Sequence, residues 1–341
     1  MNSQLVINNV SGSPTIGYTP EQIRKAYSLS NEEQGLGVNI GIMDFMGNIH
    51  IQNNLDVFSR QFNLPYANIE FYGGTPQNNY FDFSAYIEPC ADSQWVHAIS
   101  PKAKIKVFRA FQYSVDGVIY AVKQALIAKC DVILQTFQAP FIDEYINYSD
   151  LYESDVVFVC SAGDYGAGAF FPSCYPSCIS VGGTKLLIDK YGKRAGEETV
   201  WNRTGGGICE YFDIPDYQRR FNEIELITSG KRGVPDISFL ADPETGYSVY
   251  HSSTQGSFGW YKVGGTSISA SVIAGIISNL LSQGVIDNKR NILKYIYDLA
   301  GGTEYSNPYN KFTDIIEGEN NEFEAKIGYD LCTGLGSLIN L

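Results

Sequence analysis

Short runs of β-branched and aromatic residues alternate with stretches of helical period along most of the chain. The runs predict strands over residues 38–44, 104–108, 131–137, 156–160, 178–181 and 235–239, and the periodic stretches predict helices over 20–27, 51–62, 115–129 and 291–300. A further helix opens in Val263-Gly264-Gly265-Thr266-Ser267-Ile268-Ser269-Ala270. It runs through Val272, Ile273, Ala274, Ile276, Ile277, Leu280 and Leu281 and stops at Gly284. Apolar on nearly every side, it reads as a buried helix with a glycine stop. Strands separated by helices imply parallel βαβ units, and so an α/β fold with a doubly wound, mostly parallel sheet flanked by helices. Active sites on such sheets lie at the carboxyl ends of the strands. With no repeat, low-complexity tract or linker in view, one domain is expected.

At 341 residues and 44% hydrophobic, the chain can bury a large core. Its 37 acidic residues outnumber 24 basic ones for a net charge of -13, and no lysine or arginine run stands out, which argues against nucleic acid or an anionic membrane as a partner. An acidic surface suits a working pH below neutral. The longest apolar stretch, 268–281, falls short of the roughly 18 residues that span a bilayer. Residues 1–19 carry neither a basic n-region nor an apolar h-region, so no signal peptide is expected, and by that criterion alone the location reads as cytoplasmic. Seven cysteines, an odd number scattered along the chain, do not form a disulfide framework. Cys174 and Cys178 could pair within one loop, and Cys160 reads as a buried strand thiol.

Three tracts carry candidate chemistry. Ser267 falls in the first turn of its helix, where unpaired N–H groups and the positive end of the helix dipole favour an alkoxide or oxyanion; Ser267 or Thr266 can equally serve as a simple cap. Glu88-Pro89-Cys90-Ala91-Asp92 spaces two acids at i and i+4, and proline favours the first helical position, which predicts that Glu88 marks the helix entry and that both acids share a face. On a solvated face they are ordinary surface charges. If buried, they cannot both ionise cheaply, and the pair would hold a shared proton. Asp164, in Ser161-Ala162-Gly163-Asp164-Tyr165-Gly166, follows a predicted strand, either as a turn residue or as an acid that, kept protonated, donates to an oxyanion.

These tracts resemble those of the sedolisin family of serine-carboxyl peptidases, which share the subtilisin fold. The resemblance extends to Tyr18-Thr19-Pro20-Glu21-Gln22-Ile23-Arg24-Lys25-Ala26-Tyr27, Val181-Gly182-Gly183-Thr184, Glu198-Thr199-Val200-Trp201-Asn202, Gly205-Gly206-Gly207 and Pro235-Asp236-Ile237-Ser238. It implies residues 18–341 as a peptidase domain after an N-terminal extension, 1–17. Ser267 matches the nucleophile, Glu88 the general base, Asp92 its supporting acid and Asp164 the oxyanion-stabilising acid. Such a protein would cleave peptide bonds as an endopeptidase or tripeptidyl peptidase, favoured in acid, as a monomer acting on peptide or protein substrates. The resemblance also implies an extracellular location. Exchanging a histidine base for Glu and an amide donor for Asp makes sense together only where the site holds protons.

Towards the C-terminus, Phe312-Thr313-Asp314-Ile315, Gly328-Tyr329-Asp330 and Thr333-Gly334-Leu335-Gly336 resemble the family's calcium loop. The likeness implies one Ca2+ held by the carboxylates of Asp314 and Asp330 and by carbonyls of Ile315, Lys326 and Gly328. Lys326 and Ile327 stand where the family usually has Gly and Pro, Phe137 where an active-site Trp is common, and Asp44 near where some members carry an extra Glu. No long propeptide of the family's kind is evident. Three other readings compete: a histidine triad of Asp44, His97 and Ser267; a catalytically silent binding protein on the same fold; and an intracellular peptidase that matures one dedicated peptide.

Overall fold

Along the central strands, residues alternate between two apolar clusters, as expected of parallel strands covered on both faces. In Val132–Gln135 and Val157–Ser161, the side chains of Val132, Leu134, Val157 and Val159 join the cluster that holds Ile87, Trp95, Ile268 and Ile273. Ile133, Phe158 and Cys160 face the opposite cluster, with Val118 and Val122. In the computed structural model, residues 2–3, 5–11, 13–14, 16–30, 34–252, 258–286 and 288–341 are described. Among them a ten-stranded sheet has the main order Phe312–Thr313, Ser337–Leu338, Ile237–Leu240, Cys178–Lys185, Val157–Ser161, Val132–Gln135, Asn39–Asp44, Lys104–Arg109 and Glu70–Tyr72, and its tenth strand, Thr199–Val200, pairs antiparallel with the end of Cys178–Lys185. From Ser337–Leu338 to Glu70–Tyr72 every neighbouring pair is parallel. Helices Phe83–Ile99 and Thr266–Ser282, called here the acidic helix and the serine helix, pack against each other on one face, and Val115–Ile127 packs on the other.

Several boundaries differ from expectation for identifiable reasons. The acidic helix does not begin at Pro89. It starts at Phe83, with the Asp82 carboxylate accepting from the Ala85 N–H at 3.0 Å, and carries Pro89 in its interior. A proline there removes one backbone bond, yet every residue from Ile87 to Ile99 is buried, so tertiary packing overrides the local preference. Glu88 therefore sits mid-helix. The predicted strand 131–137 divides into Val132–Gln135, within the central sheet, and Phe137–Pro140, which pairs antiparallel with Phe170–Phe171. Thr136 falls at the break. The strand predicted to end at residue 181 continues to Lys185 because it stays paired with Ile237–Leu240, and Gly183 lies so close to that neighbour's end that a Cβ would come within 2.6 Å of the Ala241 Cβ.

A hairpin of Tyr247–Ser252 and Phe258–Gly264 was not foreseen, nor was Val6–Ser11, which pairs with its second strand. The acidic helix docks on this hairpin through Trp95 Nε1, which donates to the Ser248 carbonyl at 3.1 Å. Cys174 and Cys178 do not pair with each other. All seven cysteines are buried free thiols, with Cys174 beside Cys209 and Cys178 beside Cys160. Among the described residues no helix is long and apolar enough to cross a membrane.

The turn into the serine helix leaves no room for a side chain. A Cβ on Gly264 would stand 2.2 Å from the Ala241 carbonyl oxygen, and Gly265, at φ +112°, donates its N–H to that oxygen at 2.7 Å. Gly264→Ala is expected to lower the urea midpoint by an amount equivalent to about 2–4 kcal/mol; an unchanged midpoint would show that the turn can relax.

Candidate active site

Ser267 occupies the second position of the serine helix and is fully buried. The first N–H of that helix, on Thr266, donates at 2.8 Å to Asp164 Oδ1, and the Thr266 hydroxyl donates to the same oxygen at 2.8 Å. Asp164 lies just beyond the carboxyl end of Val157–Ser161. It is held from behind as well, its own N–H donating to Gln138 Oε1 at 3.1 Å. The other carboxyl oxygen, Oδ2, is buried and has no partner among the described residues. Burial raises the Asp164 pKa to about 7 against the opposing pull of the two Thr266 bonds and Arg203. Near neutrality the carboxyl therefore holds a proton readily. Because Oδ1 already accepts twice, Oδ2 is where that proton belongs, which makes it a donor in want of an acceptor.

Glu88 and Asp92 project from one face of the acidic helix, 2% and 0% exposed. Asp92 Oδ2 accepts from the Thr136 hydroxyl at 2.8 Å, and Oδ1 lies 2.8 Å from Ser271 Oγ. Ser271 Oγ is also 3.0 Å from the main-chain carbonyl of Ser267, one helical turn back. A serine has one hydroxyl hydrogen. If it goes to the Ser267 carbonyl, a proton on Asp92 completes the chain, running from Asp92 to Ser271 to Ser267. Burial raises the Asp92 pKa to about 7, opposed by the Ser271 and Thr136 hydrogen bonds. Burial pushes the pKa of the Tyr113 hydroxyl up, helped by the nearby charges of Glu88 and Asp82, and the hydroxyl has no hydrogen-bond partner among the described residues.

The histidine triad is not assembled. His97 Nε2 lies 2.8 Å from the Pro65 carbonyl, and its Nδ1 has no partner among the described residues. Asp44 instead accepts from the N–H groups of Met46 and Gly47 at 3.1 and 2.8 Å and faces Arg109 at 3.4 Å. His251 stands 3.2 Å from Asn54 Nδ2, its pKa lowered to about 4 by burial and by His50. Three residues of the Asp92 and Asp164 surroundings, Thr136, Gln138 and Ser271, escaped sequence reasoning. Ser271 alone left a trace, since it lies at i+4 from Ser267 on a helix already predicted.

In the C-terminal loop, Asp314 Oδ2 accepts from the Gly328 N–H at 3.0 Å, whereas Oδ1 is buried without a hydrogen-bond partner. Asp330 Oδ1 accepts from the N–H groups of Cys332 and Thr333, both at 2.8 Å, and Oδ2 from that of Lys326 at 3.1 Å. Among the described residues no three His, Cys, Asp or Glu side chains are grouped so as to hold a metal ion.

The profile of the subtilase family matches residues 89–304. The chain belongs to the subtilase family. It is 28% identical to kumamolisin of Bacillus sp. (strain MN-32), the match covering 97% of this chain and 63% of kumamolisin. Identity to tripeptidyl-peptidase 1 of Dictyostelium discoideum is 26%, over 96% of this chain and 57% of that protein. The chain thus spans about three-fifths of the length of these relatives. Pseudomonas sedolisin, a serine-carboxyl proteinase solved with pseudo-iodotyrostatin, superposes with a TM-score of 0.79 at 24% identity, over 94% of this chain and 95% of that one. The fold is therefore subtilisin-like, and the sedolisin resemblance extends over nearly the whole chain.

A carboxyl that ionises less readily in the folded than in the unfolded chain stabilises the fold while protonated and loses that contribution as pH rises through its folded value. For Asp92 and Asp164, both raised to about 7, the contribution is complete below about pH 4 and gone above 7. The thermal midpoint is accordingly expected to fall between pH 5 and pH 8, and Asp92→Asn to shrink the fall; calorimetry showing equal pH dependence in both proteins would contradict this.

Proposed function

We propose that this chain is a serine-carboxyl peptidase that hydrolyses peptide bonds through Ser267, Glu88, Asp92 and Asp164. The observation that carries the reading is Asp164 Oδ2, a buried, readily protonated carboxyl oxygen without an acceptor among the described residues, at the first turn of the helix that bears Ser267. The names of kumamolisin, sedolisin and tripeptidyl-peptidase 1 support peptides or proteins as substrates.

In this reading Ser267 Oγ attacks the scissile carbonyl while its hydroxyl proton passes to the Glu88 carboxylate. The carbonyl π electrons move onto oxygen, and the resulting oxyanion accepts from Asp164 Oδ2–H and from the Ser267 N–H. Collapse expels the amine, which takes the proton from Glu88; water then repeats the sequence on the acyl-enzyme. Asp92, protonated and held by Ser271 and Thr136, keeps the acid pair at one negative charge, so Glu88 can receive a proton. The donor on Asp164 and the proton on Asp92 are both lost as pH rises. Cleavage should therefore decline on the alkaline side of about 7.

The family likeness supports one structural calcium ion at the loop of Asp314 and Asp330, where main-chain carbonyls would have to supply most of the ligands because no three His, Cys, Asp or Glu side chains group there among the described residues. Asp314 Oδ1 is a buried acceptor without a donor among the described residues, Glu223 Oε1 is another, and burial, with a smaller push from the Glu223 charge, raises the Asp314 pKa. Asp330, with carbonyls of Ile315, Lys326 and Gly328, would complete an all-oxygen set. The ion would neutralise these acids and hold the loop to the sheet edge; it takes no part in the chemistry above.

Ser267→Ala should lower kcat/KM for peptide cleavage by on the order of 10³-fold or more, and retained activity would remove the nucleophile. Asp164→Ala should cost roughly 10²–10³-fold, whereas Asp164→Asn, a permanent donor, should retain more activity and extend it to higher pH. Calcium should raise the thermal midpoint of the parent and leave Asp314→Asn nearly unmoved, as read by scanning calorimetry with and without chelator.

A further inference from the structure

The loop that follows Thr199–Val200 is joined to the loop that carries Asp164. The Gly205 N–H donates to the Gly163 carbonyl at 2.7 Å, the Gly166 N–H to the Arg203 carbonyl at 2.9 Å, and Arg203 Nε to the main-chain carbonyl of Asp164 at 3.0 Å. The Arg203 guanidinium carbon stands 5.8 Å from the centre of the Tyr165 ring and 5.6 Å from that of Trp201, within cation–π range of both. The side chain is thus held by a hydrogen bond and two aromatic rings. Even so, the residue is exposed, and its two terminal nitrogens meet no acceptor among the described residues. Arg203 borders a cavity of about 320 Å³ that Asp82, Ser84, Asp164 and Tyr165 also line. A second cavity along its flank holds Lys185, whose charge is already met by Asp242 at 3.0 Å and Glu244 at 2.7 Å. In the first cavity Asp82 is committed to the start of the acidic helix through the Ala85 N–H, and Asp164 readily holds a proton. The guanidinium is therefore a positioned cation whose charge no side chain matches by direct contact among the described residues, and its open fork has the shape that a carboxylate fills.

We infer that Arg203 is a specificity residue of the cleft, which receives a carboxylate carried by the peptide substrate. The inference rests on the peptidase reading for the chemistry of the site. The carboxylate is that of an acidic side chain or of the peptide's own C-terminus, since the guanidinium meets either in the same bidentate way. Arg203 is anchored on the residue proposed to meet the oxyanion. The carboxylate therefore belongs within about two residues of the scissile bond, at roughly 3.3 Å per extended residue. Only the ionised form is attracted: a glutamate of ordinary pKa, about 4.3, carries its charge above about pH 5 and has lost it by about pH 3, so the selectivity itself depends on pH. Asp82, and Asp164 when ionised, oppose the incoming anion, which confines recognition to the acid side of about 7.

The test uses the full-length parent, Arg203→Gln and Arg203→Glu, with C-terminally amidated octapeptides of Ala, Leu and Phe that carry Glu, Gln or Lys at each position in turn. Cleavage is followed by chromatography, and ratios taken within one protein cancel any change in overall activity. At about pH 5.5 the parent should cleave the Glu peptide with a kcat/KM at least about 5-fold above that of its Gln counterpart at one position. The ratio should fall towards one at about pH 3 and stay near one throughout in Arg203→Gln. Arg203→Glu should invert the order and favour Lys, a gain that misfolding cannot produce. Gln peptides with free and amidated C-termini separate the two sources: a preference for the free acid that Arg203→Glu abolishes assigns the terminal carboxylate, and one confined to Glu peptides assigns the side chain. Absence of both preferences in the parent, or their survival in both variants, would overturn the assignment. The same peptides, fluorescein-labelled, are then titrated by anisotropy into proteins that also carry Ser267→Ala. Binding that follows peptide charge and Arg203, without cleavage by any protein, would sink the peptidase reading and leave the carboxylate site standing. Cleavage that Ser267→Ala abolishes but peptide charge does not affect would do the reverse.

Discussion

Asp92 is fully buried where the acidic helix, the serine helix and the carboxyl end of Val132–Gln135 converge, and its two oxygens meet hydroxyls from the other two elements, Thr136 and Ser271, at 2.8 Å. Burying an ionised carboxylate with only two neutral hydroxyls as partners is costly, so the group favours its proton. That one preference ties the packing of three elements to pH. It also explains why the site's neighbours are Ser and Thr: a lysine or arginine in their place would hold the carboxylate ionised and remove the shared proton. The geometry reaches Ser267 directly, since Ser271 also faces the Ser267 carbonyl at 3.0 Å.

The same fold buries another carboxylate by the opposite means. Asp236 is fully buried and meets the Arg232 guanidinium through both oxygens at 2.7 Å, with the Ser180 N–H and the Tyr297 hydroxyl completing its partners. There a bidentate cation and a main-chain donor support the charge. Among the described residues no cation meets the side-chain oxygens of Asp92 or Asp164 at hydrogen-bond distance, Arg203 reaching only the Asp164 main-chain carbonyl at 3.0 Å, and burial raises both pKa values.

Asp164 and the N-terminal segment add a second layer. Asp164 caps the serine helix with one oxygen and leaves the other buried without a hydrogen-bond partner among the described residues, and the residue borders a cavity lined also by Leu5, Val6, Ile7, Asp82 and Arg203. A helix start, a readily protonated acid and a strand of the chain's own N-terminal region therefore meet at one place. Stability of the helix start and availability of the donor thus rest on one carboxyl group.

Much of this was legible in the residue pattern. Runs of β-branched and aromatic residues and stretches of helical period identified the central strands and main helices, and the glycine turn located Ser267 at a helix start, because backbone preference and burial agree in those segments. The i,i+4 spacing placed Glu88 and Asp92 on one face, although the helix entry was misjudged: Pro89 is tolerated in the interior by packing that a local signal does not contain. What the tertiary structure alone decided is which groups those acids meet. Thr136, Gln138 and Ser271 are ordinary polar residues in sequence; only folding from distant positions brings them within hydrogen-bond reach. The pairing of Asn2–Ser3 with Phe137–Pro140 is likewise long-range, and strand pairing is fixed by edges that exist only after the sheet has formed. Composition and periodicity specified the frame, whereas desolvation, a property of the assembled interior, determined which carboxyls keep their protons.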